Sequence, residues 1–540
     1  MDGSEVGWSE APTDDPQGVD HLGMRVAGEG AYSRLFDFTT SVSWRPRYFS
    51  FLCWALSEAF RVAGGVEGAS EHKLNVARWR EHLKRLDYLM AAVSLCVDPK
   101  AVNVAGERKV RRALEKAGGG AITLGTDHLR ASTGSLAIYA GPMRQLGLIE
   151  SAGDVSRPTR RGRVLAQAFE RCLTEAGLLT IARNVSSSTA PVAALQHGGL
   201  AALTTLPMWA DANESARSER AVLRDAILDW SASRRISSIG IVLALHRLLN
   251  DRDSPSTADF REATLLGGVQ IVPDDAAPAE VRWLGLPKHY ESTLKAWRIY
   301  QAHAYATLAS EYLLAIALKF AARPELSLGG EGTALNRLVE AMVDSATSEG
   351  LLQLHARDLN EQMVTSCTQQ REARLTEVEL AGRLDLSDAD TCLADSALLL
   401  VFSLARCAHL ENTDGAAAWL GENEPSRLSP RFLAAKWREA VTGDEPIPLF
   451  LARWIREYVI NQHRSNALRK LAADPNRYTA KFCIEGEYLI PLAPMEPGTS
   501  SPRFDNVARF MRDLGYLDAE FRPTSSADDL LDRIAAESAA

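Results

Sequence analysis

Cysteine is scarce in this chain of 540 residues, and no two cysteines form a C-x-x-C pair. The seven cysteines are Cys53, Cys96, Cys172, Cys367, Cys392, Cys407 and Cys483. An odd number of scattered cysteines argues against a disulfide framework and against a zinc knuckle. It is typical of a reducing compartment, and we therefore expect a cytoplasmic protein.

The sequence also lacks the segments that direct a protein into a membrane. Its N-terminus is acidic and polar, with no basic region ahead of an apolar stretch, so we expect no signal peptide. The longest apolar runs, around Ala397–Leu404 and Leu313–Leu318, are shorter than the roughly 20 residues of a membrane span. These runs predict buried helices and no membrane partner.

Catalytic motifs are missing as well. No H-E-x-x-H, G-x-S-x-G, Walker A or kinase pattern is present. The nuclease-like pattern Glu-x-Lys occurs at Glu71–Lys73 and at Glu107–Lys109, but in a helical or loop context without the strand and the upstream aspartate that such a metal site needs. We therefore favour a non-catalytic protein without a cofactor or metal ion. An enzyme of nuclease type, with a site dispersed along the sequence, stays open.

Positive charge is not in excess overall, because the formal net charge is −9. This value argues against a surface that is basic all over. It does not exclude a nucleic-acid partner, since local patches decide that interaction.

One motif occurs twice. Met143–Glu150 reads Met-Arg-Gln-Leu-Gly-Leu-Ile-Glu, and Met511–Asp518 reads Met-Arg-Asp-Leu-Gly-Tyr-Leu-Asp. Each copy is followed by Arg-Pro-Thr, at Arg157–Thr159 and at Arg522–Thr524. Leu-Gly predicts a helix end with a left-handed glycine, and Pro-Thr predicts the cap of the next helix. Helix, short strand, Arg-Pro-Thr and helix is how a winged-helix module ends, so we expect two such modules.

The first copy carries a cluster of positive charge. Four arginines fall within seven residues that contain no acid: Arg157, Arg160, Arg161 and Arg163. Such a cluster can neutralise several phosphates. Winged helices also serve as joints between proteins, so DNA backbone contact and a structural joint both stay open. The second copy is rich in aspartate, and we interpret it as a joint.

A second basic region covers residues 451–481, with seven basic residues against two acidic ones. Its basic residues are Arg453, Arg456, Arg464, Arg469, Lys470, Arg477 and Lys481. Aromatic spacing predicts a helix over 449–471, and alternation over 478–492 around Glu485-Gly486 predicts a β-hairpin. A basic helix beside a hairpin favours a nucleic-acid face. The alternative is a helix whose arginines pair with acidic neighbours elsewhere in the chain.

Arg45 and Arg47 are a third candidate, because they alternate with Trp44 and Tyr48 in the most aromatic part of the chain. One interpretation is phosphate contact combined with base stacking. The other is a buried aromatic core whose arginines bond neighbouring carbonyls or carboxylates.

Composition and pattern together predict a mainly α, multi-domain fold with two winged-helix-like modules and a small C-terminal β-hairpin. The predicted parts are a disordered acidic tail (1–30), an N-terminal helical domain (31–130), the first module (131–185), a central helical domain (186–410), a surface linker region around one helix at Leu433–Val441 (411–448), and the basic helix, hairpin and second module (449–540).

The block Thr39–Phe51, which reads Thr-Thr-x-Val-x-Trp-Arg-x-Arg-Tyr-x-Ser-Phe, resembles a block in large uncharacterised bacterial proteins. These proteins often lie among anti-phage defence or mobile-element genes. Trp297–Tyr312 and His463–Lys470 are similar to that group as well. The resemblance implies membership of a bacterial multi-protein system and supplies no catalytic residues.

We therefore expect a non-catalytic DNA-associating scaffold or adaptor that contacts the DNA backbone without sequence preference. Its other partners would be protein subunits of the same gene cluster. A pure protein-interaction subunit, whose basic patches bind acidic partner surfaces, is the alternative.

Overall fold

The computed structural model describes most of the chain. The described residues are 20–65, 74–187, 189–250, 254–271, 282–326, 332–347, 350–368, 375–413, 419, 428–473, 478–498 and 500–539. The fold is mainly helical, with 64% of the residues in helices and a few small sheets. The predicted fold class is confirmed at this level.

Helices follow one another with short connections through both halves of the chain. They are α1 (Arg25–Tyr32), α2 (Arg47–Val62), α3 (Val76–Val97), α4 (Glu107–Ala117), α5 (Leu136–Gln145), α6 (Arg160–Glu175), α7 (Leu179–Arg183), α8 (Val192–Gln196), α9 (Leu206–Trp209), α10 (Glu214–Ile227), α11 (Ser233–Leu248), α12 (Thr257–Leu266), α13 (Glu291–Ala321), α14 (Leu335–Ala346), α15 (Ala356–Thr368), α16 (Glu377–Arg383), α17 (Ala389–Glu411), α18 (Pro430–Thr442), α19 (Ile447–Trp454), α20 (Gln462–Ala473), α21 (Phe504–Asp513) and α22 (Ser525–Ala539). A π-helical segment, Ile455–Asn461, joins α19 to α20.

The strands are short and pair antiparallel. They are β1 (Ala121–Thr123), β2 (Ile149–Ala152), β3 (Val155–Pro158), β4 (Thr189–Pro191), β5 (Gly268–Ile271), β6 (Arg282–Gly285), β7 (Thr333–Ala334), β8 (Phe482–Glu485) and β9 (Tyr488–Pro491). β1 pairs with β4, β2 with β3 and β5 with β6, and a three-stranded sheet has the order β7-β9-β8. The turn between β8 and β9 contains Gly486, whose φ of 61° is easily adopted by glycine.

The chain divides into two compact units. Unit 1 joins the N-terminal segment up to Ser33 to Arg261–Ser500, and unit 2 joins Arg34–Phe260 to Ser501–Ala540. Both copies of the repeated motif therefore belong to unit 2. The segments that the sequence predicted as separate domains at 31–130 and 131–185 lie together in that unit.

Unit 1 is built around α13, which packs against α17 and is buried along nearly its whole length. Trp297 and Trp454 are among the largest fully buried side chains of this unit. The Trp454 indole donates to the Ser310 hydroxyl at 3.2 Å, so the buried polar group is satisfied. The buried apolar residues of α13, α17, α18 and α19 form one continuous core.

Two of these core helices meet the length and composition criterion for a membrane span. They lie in Lys288–Ala321 and Ala389–Glu411, and 89% and 78% of their most apolar windows are buried inside the structure. The short apolar runs noted in the sequence are parts of these longer helices. Burial to this extent is what a core helix shows.

The predicted disordered tail at 1–30 is wrong for its last part. Leu22 and Met24 are completely buried, and α1 begins at Arg25. Arg25 forms an ion pair with Glu311 at 2.8 Å. Two apolar side chains and a buried ion pair therefore hold this segment to unit 1. Residues 1–19 lie outside the described residues.

The helix expected at Leu433–Val441 is present as α18, but the predicted linker at 411–448 is wrong in placing residues 428–448 at the surface. This part contains α18 and the start of α19, and both Leu433 and Trp437 are completely buried. Ser429 caps α18 by accepting a hydrogen bond from the amide of Phe432. The polar composition that suggested a linker belongs mainly to residues 414–427, which lie outside the described residues apart from Trp419.

Candidate nucleic-acid interface

The two copies of the repeated motif in unit 2 have the same backbone geometry at the end of their first helix. α5 is followed by Gly147, whose φ is 65°, and α21 by Gly515, whose φ is 77°. In both copies the amide of the residue after the glycine donates a hydrogen bond of 2.8 Å to a carbonyl in the last turn of the helix. These bonds run from Leu148 to the Met143 carbonyl and from Tyr516 to the Met511 carbonyl. Both helix ends thus have the left-handed glycine cap that the sequence predicts.

The threonine of Arg-Pro-Thr closes each copy. The Thr159 hydroxyl donates to the carbonyl of Gly147 at 2.6 Å, and the Thr524 hydroxyl donates to that of Gly515 at 3.0 Å. Thr159 Oγ1 also accepts a hydrogen bond from the amide of Gly162, which caps α6. These hydrogen bonds join residues that are 12 apart in the first copy and nine apart in the second.

The copies differ between the glycine and the threonine. In the first copy β2 and β3 form four residue pairs, from Ile149–Pro158 to Ala152–Val155. In the second copy a single bridge joins Leu517 to Pro523. The first copy therefore projects a hairpin ahead of α6, and the second has only a tight turn at the same place.

The outer face of α6 carries arginines along its length. Arg160, Arg163 and Arg171 are exposed and fall within one third of the helix circumference. Arg160 and Arg163 form no ion pair with any described residue; Arg163 contacts the Pro158 carbonyl at 3.5 Å. Arg171 donates to the Ser218 hydroxyl at 2.9 Å. These three residues, which we call the α6 stripe, extend over about 16 Å at 1.5 Å per residue.

The other two arginines of the predicted cluster at residues 157–163 form ion pairs within unit 2. Arg157 pairs with Glu150 across the β2–β3 hairpin at 2.8 Å. Arg161 pairs with Asp229 at 2.8 Å and donates to the carbonyls of Asp225 and Ala226. Hydrogen bonds from Ser231 and from Arg161 lower the pKa of Asp229 to about 2. Arg161 therefore fastens α6 to the end of α10, and we do not retain it as a phosphate contact.

For Arg45 and Arg47 the predicted nucleic-acid contact is wrong. Arg47 is completely buried, pairs with Glu219 at 2.7 Å and donates to the carbonyls of Leu200 and Ala202. Arg45 is 8% exposed and donates to both carboxylate oxygens of Asp513 at 3.2 Å. Both arginines are therefore buried and bonded to carboxylates or carbonyls, as the alternative interpretation expects.

In unit 1 part of the predicted basic face is also internally bonded. Arg453 pairs with Glu445 at 2.7 Å, and Lys470 donates to the carbonyl of Asp20. Lys481 is 7% exposed, so its contact with a phosphate is excluded by burial. Arg453 is therefore paired within the chain, as the alternative interpretation expects. The predicted nucleic-acid contact of Lys481 is wrong, because this residue is buried.

The remaining basic residues of that region are more accessible. Arg456 is exposed and donates to the Asn336 side chain at 2.9 Å, and Arg469 is exposed and donates to that of Asn466 at 2.6 Å. Arg464 is exposed and forms no ion pair with a described residue. Arg477 lies outside the described residues. Unit 1 thus retains three exposed arginines on or next to α20.

Two further arginines beside the first copy were missed by the sequence analysis. Arg144, in the last turn of α5, is exposed and forms no ion pair with a described residue. Arg171 belongs to the α6 stripe. Its spacing of 11 residues from Arg160, which is three helical turns, is the signal that identifies it in the sequence.

The described residues contain no group of three or more His, Cys, Asp or Glu side chains that could hold a metal ion. Comparisons with protein-family models, curated proteins and solved structures found no match to the chain.

Proposed function

We propose that this chain is a non-catalytic subunit that associates with DNA through the α6 stripe. The observation that carries the proposal is the exposure of Arg160 and Arg163 without an ion pair to any described residue. Uncompensated guanidinium groups on a protein of net charge −9 make a local site for a polyanion. The first turn of α6 contains no acid, so the partial positive charge of the helix start adds to this field.

The winged-helix interpretation supplies the geometry of this contact. In the first copy α5 would be the helix placed against the duplex, β2–β3 the wing and α6 the following helix. Two exposed positions of α5, Ala137 and Gly141, have no side-chain donor or acceptor with which to read base edges. Arg144 and Gln145, at the end of the helix, are also exposed and carry donors. Ala137 and Gly141 favour a contact of this helix with the phosphate backbone without sequence preference.

The second copy is proposed as a joint. Its turn is self-neutralised, because Arg522 pairs with Asp518 at 2.9 Å and with Glu520 at 3.1 Å. Asp513 of α21 binds the buried Arg45. The turn carries two carboxylates against one guanidinium, so its local charge does not favour a phosphate. Of the two copies, we therefore assign nucleic-acid contact to the first.

Charge reversal tests the proposal. Arg160→Glu combined with Arg163→Glu should weaken binding to a mixed-sequence DNA duplex at least tenfold, measured by fluorescence anisotropy at fixed salt. The matched control is Arg108→Glu with Arg112→Glu, which makes the same charge change on exposed positions of α4 in the same unit. An equal loss in both variants, or no loss in the first, would contradict a binding site on α6.

Membership of a bacterial multi-protein assembly rests on the resemblance at Thr39–Phe51. Most of that block is core of unit 2: Tyr48, Phe49 and Phe51 are buried. Packing alone is therefore a sufficient reason for its pattern. Co-purification of a product of a neighbouring gene, with no nucleic acid retained, would favour the pure protein-interaction alternative. Cleavage of DNA by the purified chain with Mg²⁺ or Mn²⁺ would favour the nuclease alternative.

A further inference from the structure

A pocket of about 680 Å³ lies in unit 2 where α10 faces the second copy of the motif. Its wall includes Arg224, Asp225, Trp230, Tyr516, Asp529 and Arg533. Pockets of this size hold small molecules. The wall is built from the end of α10, from the second copy of the motif and from α22.

Arg224 is held in one orientation on the wall of the pocket. Its Nε donates to the Leu514 carbonyl at 2.6 Å, and its guanidinium carbon lies 4.6 Å from the centre of the Tyr516 ring. Among the described residues, no carboxylate pairs with it and its Nη atoms make no hydrogen bond. Burial, and then the charge of Arg220, lower the pKa of Arg224. A half-buried cation without a counter-ion is stabilised by any anion that enters.

Arg533 also lies against an aromatic ring, but it differs from Arg224 because it is exposed and has a counter-ion. Its guanidinium carbon lies 3.7 Å from the centre of the Trp230 ring, and its Nε pairs with the Glu537 carboxylate at 3.2 Å. Within the described part of the chain its Nη atoms make no hydrogen bond. The Nη atoms of both guanidinium groups are thus available to another group. A guanidinium that is already oriented loses little side-chain entropy when it binds an oxyanion, and this applies most to the half-buried Arg224.

Carboxylates line other parts of the same pocket. Asp225 and Asp529 are exposed and form no ion pair with a described residue. Asp229 is different, because Arg161 and Ser231 occupy it. Two free carboxylates accept hydrogen bonds from hydroxyl groups, whereas they repel a second anionic group. The pocket therefore has guanidinium groups that can bind one end of a ligand and carboxylate oxygens that can accept hydrogen bonds from the rest of it.

We propose that this pocket binds a small phosphate monoester whose body carries hydroxyl groups, such as a nucleoside monophosphate or a sugar phosphate. Arg224 and Arg533 bind the phosphate through their Nη atoms, and Asp225 and Asp529 accept hydrogen bonds from the hydroxyl groups. The proposal is independent of DNA binding by the α6 stripe, since neither Arg160 nor Arg163 lines the pocket.

Isothermal titration calorimetry of the full chain tests the proposal with three probes: inorganic phosphate, ribose 5-phosphate and AMP. Ribose 5-phosphate should bind more tightly than inorganic phosphate because it adds hydroxyl contacts. Arg224→Ala and Arg533→Ala should each weaken its binding about 10- to 100-fold, the range for losing a charged hydrogen bond. A higher affinity for AMP than for ribose 5-phosphate identifies the ligand as a nucleotide, and equal affinities identify it as a sugar phosphate.

Two further variants separate the roles of the residues. Arg217→Ala removes an exposed arginine of α10 that does not line the pocket, and it should leave binding unchanged. Asp529→Asn should weaken ribose 5-phosphate but not inorganic phosphate. Circular dichroism of each variant shows whether unit 2 is still folded. Absence of binding of ribose 5-phosphate and AMP at millimolar concentration, full binding in a folded Arg224→Ala protein, or equal effects of Asp529→Asn on both probes would overturn the assignment.

Discussion

The hydroxyl of Thr159 donates a hydrogen bond to the carbonyl of Gly147 at 2.6 Å, and Thr524 makes the same bond to Gly515. Each bond ties the helix that follows Arg-Pro-Thr to the end of the helix that precedes Leu-Gly. Two segments more than 350 residues apart in sequence thus adopt the same local structure. The stability of this structure in the first copy determines how α6 presents its arginines.

Substitution of the two capping glycines should destabilise unit 2. Gly147 and Gly515 have φ values of 65° and 77°, and a side chain in this conformation costs about 1–2 kcal/mol. Gly147→Ala and Gly515→Ala should each lower the free energy of unfolding by about that amount in urea titrations. The control is Gly382→Ala in α16 of unit 1, where a methyl group meets no atom within 4 Å outside the neighbouring residues. It should raise the free energy of unfolding by about 0.5–1 kcal/mol; destabilisation by all three variants would contradict the cap.

The buried ion pair Arg47–Glu219 should be sensitive to the loss of one partner. Neither side chain is exposed, and Ser50 and Cys172 also donate to Glu219. Glu219→Leu leaves Arg47 buried without its counter-ion, which costs about 3–5 kcal/mol in denaturant titrations. Arg47→Met added to Glu219→Leu should recover part of this loss. No recovery in the double variant would show that the loss is not due to an unpaired charge.

Arg61→Ala is the surface counterpart of that experiment. Arg61 pairs with Glu58 at 2.7 Å, but its side chain is 61% exposed. Water screens such a pair, so the substitution should change the free energy of unfolding by less than about 1 kcal/mol.

Glu311 should make unit 1 more stable in mild acid. Burial raises the pKa of Glu311 from 4.5 to about 7, although Arg25 opposes the shift. A carboxyl group with a raised pKa in the folded state contributes stability that is complete below pH 4.5 and is lost as the pH rises to 7. The free energy of unfolding relative to Glu311→Gln, which stays neutral, should fall by about 3 kcal/mol over this interval. A difference that grows with pH would contradict the shift.

His463 should have the opposite effect. Its Nδ1 donates to the carbonyl of His21 at 3.1 Å and its Nε2 accepts from the amide of Lys481 at 3.0 Å, so the neutral ring satisfies both groups. Burial lowers the pKa of His463 to about 4. The unfolded chain then binds the proton first, and stability is lost as the pH falls from 6.5 to 4. His463→Gln should reduce this acid sensitivity by the contribution of one histidine, since buried His303 keeps its own lowered pKa of about 4. His197→Gln on the surface should leave the acid sensitivity unchanged.

Local signals in the sequence predicted the elements that depend on neighbouring residues. Leu-Gly and Pro-Thr specify a helix end and a helix cap through contacts within about a dozen residues. The glycine helix end is present in both copies, and the threonine side chain caps the following helix in the first copy. The strand alternation around Glu485-Gly486 likewise produced β8 and β9 close to their predicted places. Contacts between residues that are close in sequence therefore account for these elements.

Long-range pairing was not predictable from the sequence. Asp513 lies 468 residues from Arg45, and Glu219 lies 172 residues from Arg47. Nothing in the pattern around Trp44 shows which carboxylate will meet these arginines. The pocket residues Arg224 and Arg533 were missed for the same reason, since their aromatic partners are brought to them by the fold.

The salt dependence of duplex DNA binding tests the central claim most directly. Each phosphate contact contributes about 0.9 to the slope of log K against log salt concentration. Arg160→Ala with Arg163→Ala should therefore reduce the magnitude of this slope by about 1.8, while Arg108→Ala with Arg112→Ala should leave it unchanged. Parallel lines for the wild type and the α6 variant would contradict phosphate contact by the α6 stripe.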